Sequence, residues 1–264
     1  MGIEVKVIDL GERKAKFILS GVTPAFANAL RRCMINEIPR LAIDEVHFYE
    51  NTSILFDEQI ALRLALIPLK ADPTGYVMED ECTCEDGCAL CQTTATISAE
   101  GPKMVYSSDL IMGDENISVA DDRIPIVDLK EGQKLLLNAI IRLGTGEMHA
   151  KWQSAVVCGY KNVPHVSITD CNDCARCVSI CPRDVFRLVD GRVMIGDDIN
   201  CSYCKLCLDV CELQGIVIEE EPDAFLFTLE TDGGMSASMT IAYAIHLLKE
   251  RAIRLKSALE NLAH

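Results

Sequence analysis

The stretch 171–184, CNDCARCVSICPRD, holds four cysteines, Cys171, Cys174, Cys177 and Cys181, with Pro182 behind the last. The spacing returns as CSYCKLCLDVCEL (201–213), with Cys201, Cys204, Cys207 and Cys211. The first run is C-x2-C-x2-C-x3-C-P, and the second repeats it without the proline. Soft, charge-donating thiolates suit iron in iron–sulfur clusters. The short spacings wrap three thiolates around one cube, and the fourth cysteine sits too far round and ligates the other cluster. The expected sets are therefore Cys201, Cys204, Cys207 with Cys181, and Cys171, Cys174, Cys177 with Cys211.

The two sets are not equal. Pro182 has a fixed φ and no N–H, which helps turn the chain away after Cys181. Cys211 is followed by Glu212. The set that includes Cys181 is the better match and ranks first. It suits a 4Fe–4S cluster, or a 3Fe–4S cluster if Cys181 stays out. At least one cluster is expected. The other set holds a second cluster or is oxidised to disulfides.

An earlier loop, ECTCEDGCALCQ (81–92), carries Cys82, Cys84, Cys88 and Cys91. Four thiolates so close together fit a tetrahedral zinc site. Disulfides or free thiols are the other reading, because the spacing departs from paired C-x2-C hooks. Cys33 and Cys158 read as core residues. His47, His149, His165 and His246 show no metal spacing.

Composition bounds the rest. The chain has 264 residues, 49% hydrophobic and 25% charged, so it has room for more than one domain with an ordinary packed core. Fourteen cysteines in a chain that reads as cytosolic favour metal over structural disulfides. No apolar run approaches the ~18–20 residues of a membrane span, and the first residues do not read as a secretory signal. A cytoplasmic protein with no membrane contact is expected. With 25 Lys and Arg against 40 acids the formal charge is −15, which argues against a broad nucleic-acid-binding face. No serine–histidine–acid set or pair of catalytic carboxylates stands out. LGTGEM around Gly144 and Gly146 lacks the third glycine and the helix of a phosphate-binding loop.

Along the chain, residues 3–20 alternate as a hairpin. A helix follows with Thr23 as N-cap, Pro24 at its first position, and Phe26, Leu30 and Cys33 on one face; Pro39 closes it. Mostly short strands are expected from Val46 to about Pro164, with a short helix over DEQIALRLAL ended by Pro68. AFLFTLET (224–231) reads as a strand. The last segment, Ser236 to about Ala263, reads as a long helix. Ile241, Ile245, Leu248, Ala252, Leu255, Leu259 and Leu262 form a seam with a period near 3.5 residues. So narrow a seam asks for another helix, on a partner subunit or within its own domain.

Residues 23–69, TPAFANALRRCMINEIPRLAIDEVHFYENTSILFDEQIALRLALIPL, resemble the signature of alpha-type assembly subunits of multisubunit RNA polymerases. CTCEDGCALC is similar to the zinc loop of the polymerase II homologue. LGTGEMHAKWQSA (143–155) resembles the G.G..HAKW segment of that branch, with Met148 where lysine is usual. A ferredoxin-like insert on this scaffold resembles the archaeal, D-type members of the family.

The resemblance implies an α+β fold in three parts. Residues 1–45 and 223–264 form a discontinuous dimerisation domain. Residues 46–166 form a mainly β insertion domain with the Cys-rich loop 82–91, and 167–222 a ferredoxin-like iron–sulfur domain. It implies a heterodimer with a small alpha-like subunit, subunit L in archaea. That pair is a platform for the large polymerase subunits, with small zinc-bearing subunits nearby, and no catalytic residue lies in this chain. Asn28, Arg31 and Arg32 fall on the family's assembly helix and are expected to touch partners. An alternative is an electron-transfer subunit of a redox enzyme, although no dinucleotide fingerprint accompanies the cysteines; a redox sensor is a weaker third reading. A module of this size buries little core, so a cluster acts as a folding staple.

Overall fold

The computed structural model describes residues 2–85 and 87–262. The chain opens as a hairpin of Glu4–Leu10 (β1) and Lys14–Ser20 (β2), closed where the Gly11 N–H donates to the Lys14 carbonyl at 2.8 Å. Pro24–Arg32 (α1) follows, and Thr23 caps it by accepting from the Phe26 N–H at 3.3 Å. One turn of π-helix, Cys33–Glu37, continues the run before Pro39. Leu30 and Cys33 are buried as expected, whereas Phe26 stays 38% exposed.

The middle of the chain is built on strands. Arg40–Asn51 (β3) leads into Asp57–Ala65 (α2) and the short Leu69–Lys70 (β4). After the Cys-rich loop come Gln92–Glu100 (β5), Lys103–Tyr106 (β6), Ile111–Met112 (β7), Ser118–Val119 (β8), Pro125–Leu129 (β9) and Lys134–Gly144 (β10). Ala155–Ile168 (β11) enters the twin-motif segment. There Arg176–Ile180 (α3), Phe186–Val189 (β12), Arg192–Ile195 (β13) and Leu206–Asp209 (α4) are short. Ile216–Thr231 (β14) and Ala237–Leu262 (α5) complete the chain.

Two four-stranded sheets dominate, in the orders β1-β2-β14-β11 and β3-β10-β5-β7; the pairs β12-β13, β4-β8 and β6-β9 stand beside them. The registers of β10 with β3 and β5, and of the three pairs, are all antiparallel. By compactness the chain divides into two units. One holds the segment up to Asp9, Lys16–Asn28 and Gly159–Thr228; the other holds Leu10–Ala15, Ala29–Cys158 and the chain from Leu229 on.

The expectation of mostly short strands from Val46 holds for β4, β6, β7, β8 and β9, with long exceptions. β3 already starts at Arg40, and β10 and β11 run for 11 and 14 residues. Strict alternation explains the length of β10: Leu135, Leu137, Ala139, Ile141 and Leu143 all point inward. They pack with Ile43, Ile60, Leu64 and Ile97 in one core. Register shifts at Leu136/Leu137 and Ile140/Ile141 let this long strand follow the sheet twist. The strand expected at 224–231 is the second half of β14, which begins at Ile216. Ala263, the expected helix end, lies outside the described residues.

Candidate metal centres

Cys181, Cys201, Cys204 and Cys207 line one void, walled by Val166, Val185, Phe186 and Ile218. Cys171, Cys174, Cys177 and Cys211 line a second, with Ile168, Val193, Val210 and Ile216. Each void thus takes three thiols from one motif and the fourth from the other. Cys207 and Cys177, the motif thiols most affected by burial, are held toward the protonated form. Burial, then the neighbouring Cys201 and Cys181, push the Cys207 thiol up to about 11. Burial and then Cys171 raise Cys177. A metal supplies the positive charge that such crowded thiols need to ionise. The donor set and its largely apolar walls therefore fit an iron–sulfur cluster.

The backbone carries the same signature. Non-glycine residues with positive φ occur at Asp173 and Tyr203, Ala175 and Lys205, and Asp184 and Gln214. Each pair occupies the same place in the two repeats. A left-handed residue with a Cβ costs roughly 1–2 kcal/mol, so six of them persist only where the surroundings demand that shape. Such turns aim successive N–H groups inward as an anion nest. The Asp173 N–H, for one, meets Cys171 Sγ at 3.3 Å. Gly215 is required for a different reason: a Cβ there would lie 1.8 Å from the Asp170 carbonyl oxygen.

The two repeats differ in surroundings. Cys201 and Cys207 are buried, whereas of the first motif's three leading cysteines only Cys177 is. The second loop is also tied to the sheet. Lys161 Nζ donates to the carbonyls of Ile199 and Cys201, and the Tyr203 hydroxyl donates to the Asn162 carbonyl at 3.2 Å.

The loop cysteines form a tighter object. Cys82 and Cys88 sulfurs are 3.7 Å apart, Cys84 and Cys91 3.6 Å, and Cys88 and Cys91 4.0 Å. All four ligand atoms lie within 4.8 Å of one another. Bonds of about 2.3 Å to one tetrahedral ion would separate sulfurs by about 3.8 Å. The quartet fits a single metal ion. A backbone N–H at Leu90, helped by Cys82, lowers the Cys88 thiol to about 7, while hydrogen bonds with Cys82 and Cys91 raise Cys84 to about 12. Gly87, at φ +87°, permits the turn, since a Cβ would meet the Gln92 side chain at 2.3 Å.

Arg142 clamps both ends of this loop. Its guanidinium reaches Glu79 at 3.4 Å on one side and Gln92 Oε1 at 3.3 Å on the other, and also pairs with Asp44 at 3.1 Å. Lys151 pairs with Asp44 and lies 4.2 Å from the Trp152 ring centroid, and Trp152 Nε1 donates to the Arg142 carbonyl at 3.2 Å. Burial opposes ionisation of Asp44, but hydrogen bonds from Lys151 and Arg142 outweigh it and hold the carboxyl below its usual range. Sequence reading missed this network. Asp44 lies about a hundred positions from Arg142 and Lys151, and only the pairing of β3 with β10 brings Asp44 to Arg142. Gly144 is explained here as well: a Cβ would sit 2.4 Å from the Trp152 ring. His47, His149, His165 and His246 join no ligating cluster among the described residues.

The expected seam on α5 is divided. The face packed inward is Ala237, Thr240 and Ala244, where Cys33 Sγ donates to the Ala244 carbonyl at 3.5 Å and Arg251 pairs with Glu37. Burial, reinforced by Glu37, pushes the Cys33 thiol up to about 12, as a core cysteine requires. Ile241 and Leu248 are half-buried, whereas Ile245 and Ala252 are exposed. Leu255, Leu259 and Leu262 are 62%, 57% and 83% exposed. Two further apolar surfaces are open: Val5, Val7 and Leu10 on β1, and Ile54, Phe56, Leu62 and Leu66 at α2. The sequence reading of a short helix there did not mark the second surface. On α1, Asn28 and Arg31 are half-buried and Arg32 is exposed.

Comparison with known proteins places these features. Residues 16–252 match the family model of the RNA polymerase Rpb3/Rpb11 dimerisation domain. The DNA-directed RNA polymerase subunit Rpo3 of Methanosarcina mazei is 46% identical over 99% of this chain and 100% of its own length. The Rpo3 subunits of Archaeoglobus fulgidus and Picrophilus torridus are 39% and 38% identical, each with at least 97% of both chains aligned. The chain belongs to the Rpb3/Rpb11-type family of RNA polymerase subunits, among the archaeal Rpo3 homologues.

Proposed function

We propose that this chain is a non-catalytic assembly subunit of DNA-dependent RNA polymerase. It pairs with a small alpha-like subunit, and the pair forms the platform for the large catalytic subunits. The observation that carries this reading is the uncovered C-terminal half of α5 in a chain of this family. Leucines exposed at helical spacing cost solvation unless a partner covers them. β1, an apolar strand at a sheet edge, supports the same reading. The exposed patch at α2 suits a further subunit.

In this reading residues 1–45 and 223–264 form the dimerisation domain, 46–166 the insertion domain and 167–222 the iron–sulfur module. Cys181, Cys201, Cys204 and Cys207 hold one cluster; Cys171, Cys174, Cys177 and Cys211 hold a second. A bound cluster supplies folding free energy by cross-linking the two motifs. Cys82, Cys84, Cys88 and Cys91 hold zinc; their sulfur separations exceed a disulfide's ~2.05 Å and suit one ion. The cytoplasm is the expected compartment, since free thiols and clusters need reducing surroundings. Membership in a polymerase family disfavours a dedicated electron carrier.

Anaerobic co-expression with the small alpha-like subunit tests the proposal. A one-to-one complex is expected, with iron, sulfide and zinc in it and an EPR signal after reduction. Leu255→Asp with Leu259→Asp should weaken pairing by about a hundredfold or more, at roughly 2 kcal/mol for each buried anchor. Both side chains are exposed here, so the isolated chain should keep its fold. Unchanged pairing in that variant sinks the assignment of α5.

A further inference from the structure

An open cleft of about 560 Å³ lies beside the second cysteine loop, within the unit that carries both motifs. Its floor is sheet: Lys16 on β2, Lys161 on β11 and Thr228 on β14. Its rim is Arg183, Asn200, Ser202 and Tyr203. Three cations therefore converge on one concave surface of a chain whose formal charge is −15. Asp184 is the one carboxylate on the lining. Lys16 and Arg183 form no ion pair among the described residues. Lys161 spends its ammonium on the carbonyls of Ile199 and Cys201. Burial holds it below the usual lysine range, and the charges of Lys16 and Arg183 press the same way against the pull of Cys201 and Asp197.

Three cations against one lining carboxylate leave the cleft with an excess of positive charge, and the arrangement is stabilised when an anion visits it. The form of the cleft narrows the anion. It is open rather than enclosed, it has no glycine-rich phosphate loop, and its aromatic residue, Tyr203, commits its hydroxyl to Asn162. Carboxylates on an extended protein segment suit such a trough. We propose that the cleft docks an acidic segment of a partner protein. Lys16 and Arg183 make the contacts, and Lys161 holds the rim in place. This surface is distinct from α5 and β1, and the assignment does not depend on which metal the motifs hold.

The test uses the full chain, prepared anaerobically, with fluorescein-labelled hexaglutamate as probe and anisotropy at low ionic strength. Saturable binding is expected that fades as salt rises. Lys16→Glu should weaken it by about tenfold, the scale of one close charge pair. Lys70→Glu, exposed on the other unit, makes the same change in net charge and should leave binding within about twofold. Arg183 also lines the void of Cys181 and Cys201, so Arg183→Glu is read together with iron content. Three results overturn the proposal: equal losses for Lys16→Glu and Lys70→Glu, tighter binding of a single-stranded oligonucleotide or of pyrophosphate than of hexaglutamate, or loss of iron in Arg183→Glu with peptide binding unchanged in both variants.

Discussion

The Cys82–Cys91 loop and the twin motifs both gather four thiols, yet they are different devices. The loop closes on itself within one short segment, and its four sulfurs all lie within 4.8 Å of one another. The motif thiols surround apolar-walled voids, and each void borrows a ligand from the other repeat. A site closed within one segment orders only that segment. A site closed between two repeats also cross-links the chain between them, and so holds a whole module together.

The largest effect should come from breaking the cross-linked device. Cys201→Ser, Cys204→Ser and Cys207→Ser together remove three ligands of one void and leave Cys181 without partners. The metal-linked free energy at stake is on the order of 10 kcal/mol. Hydrogen exchange should then show residues 167–222 unprotected, while the core around β10 stays closed. Protection that survives across 167–222 would falsify the staple. Cys88→Ser should do far less. Zinc content should fall, and added exchange should be confined to about 79–92, because the β3–β10–β5 core packs without the loop sulfurs. Loss of protection across β5 and β10 would erase the distinction between the two devices.

A smaller change separates the two repeats. Lys161→Met keeps the stem of the side chain but removes a charged donor from two carbonyls. The cost should be about 1.5–3 kcal/mol, felt at Ile199–Tyr203 and absent from Cys171–Cys177. Equal loosening of both loops would show that the tether is not specific. The smallest effect concerns the clamp on the loop. Asp44 has a folded pKa below its unfolded value, near 3.9. Its contribution is present above that value and is lost as pH falls through the folded pKa. Urea midpoints measured from pH 5 down to pH 3 should drop more steeply in the parent chain than in Asp44→Asn. Identical slopes would remove Asp44 from the clamp.

Much of the candidate chemistry was legible from local pattern. Ligand spacing is a property of a few neighbouring residues, so the membership of both void quartets and of the loop quartet could be written down from the chain. The cap at Thr23 and the turn at Gly11 are equally local. The left-handed residues at Asp173, Ala175 and Asp184, and their counterparts, were not legible, because none is a glycine to mark the turn. Nor was the Arg142 clamp, whose partners meet only once β3, β5 and β10 are paired.

The long helix shows where the division falls. Its existence and register follow from periodicity alone, since apolar side chains spaced near 3.5 residues must share a stripe. Which part of that stripe is covered depends on what lies across from it. The small residues Ala237, Thr240 and Ala244 take the place against Cys33, and the leucines beyond Arg251 are left in water. The cationic cleft has the same origin, since Lys16, Lys161 and Arg183 come from three separate segments and become neighbours only through the fold. Local spacing can encode a ligand set or a stripe. Burial and charge convergence are sums over distant residues, and only the packed chain performs that sum.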